Sequence, residues 1–113
     1  MSAALALKTR LAQPKIVAAP GAPDSLTARL VQQAGFDATY MTGFGATSVR
    51  LGTPDLGLLT LTEMADHARN MVRAVDIPVI ADADTGYGGP STSLAPWRNT
   101  SRPASPPCIW KTK

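Results

Sequence analysis

Two aspartates at the end of a short apolar run are the residues of this sequence most suited to chemistry. Asp82 and Asp84 follow the run 78–81, alternate with alanine, and lead into a turn that contains Gly86 and Gly88. An apolar run bounded by proline and glycine is typical of a buried strand in a parallel sheet. Two carboxylates there are costly to bury without a cation, and Mg²⁺ prefers oxygen ligands. The spacing therefore predicts a divalent metal site, with a plain Asp/Gly-rich turn as the alternative.

The helix before this strand is indicated by its first turn and by its apolar stripe. Thr60 and Glu63 have the spacing of a capping box, with Thr60 as the N-cap. An apolar stripe at helical spacing follows, formed by Leu61, Met64, Ala68, Met71, Val72 and Val75. His67 lies off this stripe, and we predict a surface histidine there rather than a catalytic one.

The preceding chain alternates between strand and helix patterns. We predict a helix over 2–11, a strand over 16–19, a helix over 24–34 ended by Gly35, and a strand over 38–41. The glycines and proline of 46–59 predict a loop there, with no helix opening at Gly43. Such alternation indicates parallel βαβ units. The segments 42–45 and 82–88 would then lie at strand carboxyl ends, where ligands bind in parallel α/β folds.

Composition narrows the class of protein. A hydrophobic content of 44% suits a globular domain, and a single cysteine excludes an internal disulfide framework. No apolar stretch is long enough to span a bilayer, so we predict no membrane partner. The single cysteine makes a reducing compartment the default, and we predict a cytoplasmic protein. The formal charge of +3 arises beyond Pro90, because all eight acidic residues precede it. The sequence has no basic face with interleaved aromatic residues, which is the pattern that would predict nucleic-acid binding.

Three segments together resemble one enzyme superfamily. They are Tyr-Met-Thr-Gly-Phe-Gly at 40–45, Leu-Gly-Thr-Pro-Asp-Leu-Gly at 51–57 and Asp-Ala-Asp-Thr-Gly-Tyr-Gly at 82–88. In this order and spacing they are similar to the isocitrate lyase/phosphoenolpyruvate mutase superfamily. The resemblance is to its smaller branch, which includes methylisocitrate lyase, oxaloacetate decarboxylase and phosphonomutases. It covers about residues 11–89.

The resemblance implies a fold and a site. The fold class would be α/β, as the N-terminal part (about three βα units) of an incomplete TIM-type (β/α)8 barrel. Mg²⁺, with Mn²⁺ as the alternative, would be held by Asp82 and Asp84. The implied catalytic residues are Asp55 and Tyr40, and those that bind the substrate carboxylate are Thr42, Gly43 and Phe44. Phe44 replaces the glycine usual at its position, which changes the shape of the pocket.

The resemblance also implies a reaction. Members cleave or form a C–C or P–C bond next to a 2-oxo acid through an enolate, and Mg²⁺ acts as a Lewis acid. The implied activity is most like that of methylisocitrate lyase or carboxyvinyl-carboxyphosphonate phosphorylmutase. The partner would be a small 2-oxo or tricarboxylic acid substrate. The full-length parent would be a homo-oligomer.

The last stretch does not continue this pattern. Residues 91–113 have no acidic residue, no periodicity and four prolines, so we predict a boundary at 90 and a disordered tail. Read one base earlier, the same codons can encode L-N-V-A-R-T-V-E-E-Y-E-P-A-G-V-A-A-L-H-L-E-D-Q. This string has a helix, a turn and a strand ending in Glu-Asp-Gln, as the superfamily's next βα unit has. We therefore predict a frame-shifted tail on a truncated, inactive chain. The alternatives are an inert truncation product without a function and a small basic-tailed binding module.

Overall fold

Helices and strands alternate along the chain, as the sequence predicts. The computed structural model describes residues 3–83 and 109–111. Within them the elements are α1 (Ala3–Leu11), β1 (Gly21–Ala22), α2 (Ser25–Gln33), β2 (Thr39–Met41), α3 (Gly43–Leu51), α4 (Leu61–Ala74), β3 (Val79–Asp82) and β4 (Ile109–Lys111). No helix in this described part is long and apolar enough to cross a membrane.

The strands form one parallel sheet in the order β1-β2-β3-β4. Tyr40 is level with Gly21 on one side and with Ile80 on the other, and Ile80 is level with Ile109. Strands that are consecutive in the chain are therefore neighbours in the sheet. This is the arrangement of strands in the wall of a parallel α/β barrel.

The two faces of the sheet have different environments. One face packs against the helices, where side chains from β1, β2 and β3 join α4 in the main core cluster, including Ala22, Met41, Val79, Ala81, Met64 and Met71. Alternation along the strands turns Tyr40, Ile80 and Asp82 to the opposite face, where they are only half-buried. In a closed barrel that second face would be the interior.

The predicted helix α4 is confirmed, together with its capping box. The backbone N–H of Thr60 donates to Glu63 Oε2 at 2.7 Å, and the backbone N–H of Glu63 donates to Thr60 Oγ1 at 3.3 Å. These bonds satisfy two groups at a helix start that otherwise lack partners. The apolar stripe faces the sheet as predicted, and the helix ends before Val75, which is extended.

Helix α2 is confirmed and is fixed at both ends. Asp24 is its N-cap, with Oδ1 accepting the backbone N–H of Thr27 at 2.7 Å, and Gly35 follows the helix with a φ of 87°. Gln32 makes two bonds to Asp76 in the turn before β3. Its Oε1 accepts the Asp76 backbone N–H at 2.7 Å, and its Nε2 donates to Asp76 Oδ2 at 3.3 Å. This pair holds α2 against the segment that leads from α4 into the sheet.

The first strand is displaced from its predicted position. β1 covers Gly21–Ala22 instead of 16–19, and Ile16 is 92% exposed. β2 is three residues long, so it offers a partner strand only a short length of backbone. Its pairing with this segment begins where the Tyr40 N–H donates to the Pro20 carbonyl at 2.9 Å. The apolar run therefore leads up to the strand rather than forming it.

The predicted loop after β2 is partly wrong, because helix α3 begins at Gly43. Thr42 is the N-cap, and its Oγ1 accepts the Gly45 N–H at 2.6 Å. Gly52 ends the helix in the left-handed region, with a φ of 64°. The residues that predicted a loop, Gly52, Pro54 and Gly57, all follow Leu51. They therefore end α3, while the Thr42 cap compensates for two glycines in its first turn.

The tail contributes a strand that the sequence analysis did not predict. Residues 109–111 form β4, which pairs in parallel with β3. The rest of 91–113 lies outside the described residues, as do Asp84 and the turn after it.

Candidate functional site

The candidate site lies at the carboxyl ends of β2 and β3. Asp82 is the last residue of β3 and is half-buried on the face of the sheet away from the helices. Gly43 begins α3 just after β2. Asp55 lies in the loop between α3 and α4 and is exposed.

The backbone of Gly43 is the point at which the two carboxylates meet. A Cβ atom built on Gly43 would lie 3.3 Å from Asp82 Oδ2 and 3.7 Å from Asp55 Oδ2. Both carboxylates therefore face the space next to Gly43, although they are 27 positions apart in the sequence. A side chain at position 43 would fill that space.

Asp55 is held in this orientation by its own turn. Its Oδ1 accepts the backbone N–H of Gly57 at 3.3 Å, and Gly57 has a φ of 71°. Such side chain-to-backbone bonds two residues ahead are typical of Asx turns. One oxygen of Asp55 is used by the turn, and Oδ2 is directed towards Gly43.

The start of α3 supplies donors beside these carboxylates. The Gly45 N–H is already bonded to Thr42 Oγ1, and the Thr47 hydroxyl donates to the Gly43 carbonyl at 3.0 Å. The backbone N–H groups of Gly43 and Phe44 have no acceptor within the helix, because they belong to its first turn. A helix N-terminus of this kind attracts carboxylate and phosphate groups. The Phe44 ring is 64% exposed beside it.

A hard cation fits this arrangement. Two carboxylate oxygens facing one space, next to donors for an anionic ligand, match Mg²⁺, which uses one or two carboxylates and completes its shell with waters and substrate. Among residues 3–83 there is no group of three or more His, Cys, Asp or Glu side chains suited to a metal. The second predicted ligand, Asp84, is not in the described part of the chain.

Tyr40 lies deeper in the sheet than the carboxylates. It shares the half-buried face with Asp82 but pairs with Ile80, two residues before Asp82 on β3. Of the predicted site residues, the structure brings Thr42, Gly43, Asp55 and Asp82 together. Tyr40 is below them, and Phe44 is at their outer edge.

The prediction of a surface histidine on α4 is wrong. His67 is 7% exposed, and its Nε2 lies 2.7 Å from the Pro23 carbonyl oxygen. The sequence carried a signal for this, because His67 is three residues after Met64 and four before Met71, on the same side of the helix. An apolar stripe alone does not reveal this burial, because histidine is a polar residue.

Comparison with known proteins gives consistent matches. The family model of phosphoenolpyruvate phosphomutase matches residues 7–96, a few residues past the boundary predicted at 90. The chain is 51% identical over 88 residues to 2,3-dimethylmalate lyase from Eubacterium barkeri, covering 78% of this chain and 30% of that protein. It thus spans about a third of the length of the curated relatives it matches.

Solved structures agree with the sequence matches. A crystal structure of 2,3-dimethylmalate lyase, a PEP mutase/isocitrate lyase superfamily member, has a TM-score of 0.81 and 43% identity, covering 90% of this chain and 36% of the other. A phosphonopyruvate hydrolase complex with oxalate and Mg²⁺ has a TM-score of 0.71 and 34% identity, covering 78% and 31%. The α/β architecture with a parallel sheet is consistent with part of a barrel of this superfamily.

Proposed function

Because the chain belongs to the phosphoenolpyruvate phosphomutase family of the isocitrate lyase/PEP mutase superfamily, we propose that it is the N-terminal part of a magnesium-dependent lyase or mutase. The parent enzyme cleaves or forms a C–C or P–C bond next to a 2-oxo acid. The observation that carries this proposal is the convergence of Asp82 and Asp55 on the space beside Gly43.

Asp82 is the metal ligand for which the described residues give direct support. Its carboxylate is at a strand end, is half-buried, and faces the space beside Gly43 together with that of Asp55. Asp84 is proposed as the second ligand from its spacing, and Asp55 contacts the ion through water or through the substrate. When bound, Mg²⁺ supplies Lewis-acid stabilisation of the negative charge that develops on the substrate.

The start of α3 binds the substrate carboxylate in this proposal. The Thr42 cap fixes the first turn of α3, and the N–H groups of Gly43 and Phe44 in that turn are the proposed donors to the substrate carboxylate. Donors that are already oriented stabilise developing charge without reorganising during the reaction. Phe44, exposed at the edge, shapes the entrance, and Tyr40 supports the site from the sheet face below.

Small carboxylic acids are the proposed substrates. The names of the relatives include 2,3-dimethylmalate lyase, 2-methylisocitrate lyase and carboxyvinyl-carboxyphosphonate phosphorylmutase. We accordingly assign the parent enzyme a small 2-oxo or tricarboxylic acid. We also place it in the cytoplasm, as a homo-oligomer without a nucleic-acid or membrane partner.

We further propose that the tail beyond residue 90 is a shifted reading of the next βα unit. β4 lies beside β3, where the next strand of a barrel belongs, and its position 111 pairs with Asp82. The shifted frame places a glutamate at position 111, the first residue of Glu-Asp-Gln. In the restored chain a third carboxylate would thus stand level with Asp82, which supports a metal site completed by that unit.

The test is to restore the frame and measure turnover. The restored protein is purified, stripped of metal with a chelator, and assayed with 2,3-dimethylmalate, 2-methylisocitrate and phosphonopyruvate while Mg²⁺ is varied. We expect Mg²⁺-dependent cleavage of at least one of them. A folded, restored protein with Mg²⁺ and no turnover of any of the three would overturn the assignment.

A further inference from the structure

The buried histidine of α4 contacts a loop that has no part in the chemistry proposed above. The His67 Nε2 lies 2.7 Å from the Pro23 carbonyl oxygen, and the two residues are 44 positions apart in the chain. A carbonyl only accepts hydrogen bonds, so Nε2 carries the proton and donates it. His67 thereby joins α4 to the segment between β1 and α2.

Pro23 in turn packs against the start of α3. A Cβ atom at Gly45 would lie 2.8 Å from the Pro23 Cβ and 3.0 Å from its Cα, closer than side-chain carbons normally approach. Gly45 is buried, and its N–H is the one bonded by Thr42 Oγ1. Pro23 therefore packs against the first turn of α3, which also contains the Gly43 and Phe44 N–H groups.

The residue after Pro23 is held by the helix that it caps. Asp24 Oδ1 accepts the backbone N–H of Thr27 at 2.7 Å, and this bond is the main cause that lowers the pKa of Asp24. The carbonyl that His67 binds is therefore next to the fixed start of α2. Neither Pro23 nor Asp24 belongs to the segments from which the site was predicted.

We propose that His67 is a positioning residue for the substrate-binding turn. By holding Pro23 against Gly45, it fixes Thr42, Gly43 and Phe44 in front of the two carboxylates. The contacts of Pro23 with His67 and with Gly45 support the positioning of the turn, and its relevance to substrate binding rests on the function proposed above. Because the His67 Nε2 is bonded to the Pro23 carbonyl oxygen, His67 acts through Pro23 and is assigned no contact with substrate.

Because His67 is the only histidine of the chain, its imidazole can be observed without ambiguity. In the 113-residue chain labelled with ¹⁵N, we expect a single imidazole in the Nε2–H form, with a slowly exchanging proton. A freely exchanging imidazole, or one protonated on Nδ1 alone, would contradict the proposal without requiring any variant.

The effect on the turn is measured by amide hydrogen exchange in the same chain. In His67→Phe the Pro23 carbonyl loses its donor, and we expect exchange of the Gly45 amide to accelerate about tenfold more than that of Val72, a buried α4 position that reports global opening. His67→Gln keeps a donor and should restore much of the protection. Met71→Ala is the matched control, because it destabilises the core without removing this bond.

Equal acceleration at Gly45 and Val72 in His67→Phe would show a merely structural role and overturn the inference. If His67→Phe does not fold, the exchange comparison is made between His67→Met, which also lacks the donor, and Met71→Ala, since only a loss of positioning alters Gly45 selectively. Turnover by the frame-restored protein separates the two proposals. No Mg²⁺-dependent turnover in that protein would count against the proposed function, whereas the Gly45 exchange result in the 113-residue chain would stand.

Discussion

Replacing Gly43 by alanine tests whether the space between the two carboxylates is the metal site. The added methyl group would lie 3.3 Å from Asp82 Oδ2 and 3.7 Å from Asp55 Oδ2. Gly43 is not among the described glycines with positive φ, so alanine can adopt its backbone conformation. The substitution therefore fills the space without straining the chain.

The expected consequences for stability and for metal binding have opposite signs. Alanine in a helix is favoured over glycine by up to about 1 kcal/mol, so the free energy of unfolding should stay equal or rise slightly. Mg²⁺ requires oxygen ligands at about 2.0–2.1 Å in near-octahedral geometry and tolerates displacement poorly. A methyl group in tight contact with Asp82 must move that carboxylate by a few tenths of an ångström.

The assay is the dependence of turnover on Mg²⁺ concentration in the frame-restored protein. We expect Gly43→Ala to raise the Mg²⁺ concentration for half-maximal rate at least about tenfold, which corresponds to about 1.4 kcal/mol. Ser48→Ala, on the same helix but away from the carboxylates, controls for helix propensity and should leave this concentration unchanged. Wild-type Mg²⁺ dependence in a folded Gly43→Ala protein would refute the assignment of the ion to this space.

Four further predictions concern the ligands, the tail, the isolated chain and a helix cap. In the restored protein, Asp82→Asn and Asp84→Asn should each lower the Mg²⁺-dependent rate at least about a hundredfold, the scale of losing a main electrostatic stabiliser; near-normal rates in both would leave them as turn residues. Sequencing of the locus should show an open frame, one base away near Pro90, through Glu-Asp-Gln and several more βα units, and early stop codons would end that idea. The 113-residue chain should show no turnover even with excess Mg²⁺, because active sites of closed barrels draw residues from many strands, and measurable cleavage would make it a minimal enzyme. Asp24→Ala should cost about 1 kcal/mol in urea unfolding near neutral pH; since the folded-state pKa of Asp24 lies below 3.8, the stabilisation is complete above that pH and lost as pH falls through the folded value, whereas a pH-independent difference would argue against it.

Local patterns predicted the elements whose signals are contained in a few neighbouring residues. The capping box of Thr60 and Glu63 and the stripe behind it fixed α4, because both the cap and the burial depend on helical spacing alone. The apolar run 78–81 predicted a strand, and β3 is found there over Val79–Asp82. These are cases in which local propensity and tertiary packing favour the same structure.

Features that depend on distant partners were not predictable in the same way. The position of β1 is decided by the short strand β2, to which it pairs, and the apolar run at 16–19 carries no information about that length. The start of α3 was not predicted, because its two glycines disfavour a helix and the bond from the Gly45 N–H to the Thr42 cap offsets that preference. The convergence of Asp55 on Gly43 could be inferred only from the resemblance, since loop geometry brings them together.

The paired bonds between Gln32 and Asp76 bear on how the chain folds. They connect positions 44 residues apart, so they close a loop that contains β2, α3 and α4. Loop-closure entropy rises only with the logarithm of loop length, by about 0.6 kcal/mol per doubling. Most of this entropy is already lost when β2 pairs with β3, because that pairing closes a loop of nearly the same length, 40 positions. Once that alignment exists, α2 can dock on α4 with little further loss of chain entropy. The Gln32–Asp76 bonds are then expected to form late in folding and to stabilise a core that is already assembled.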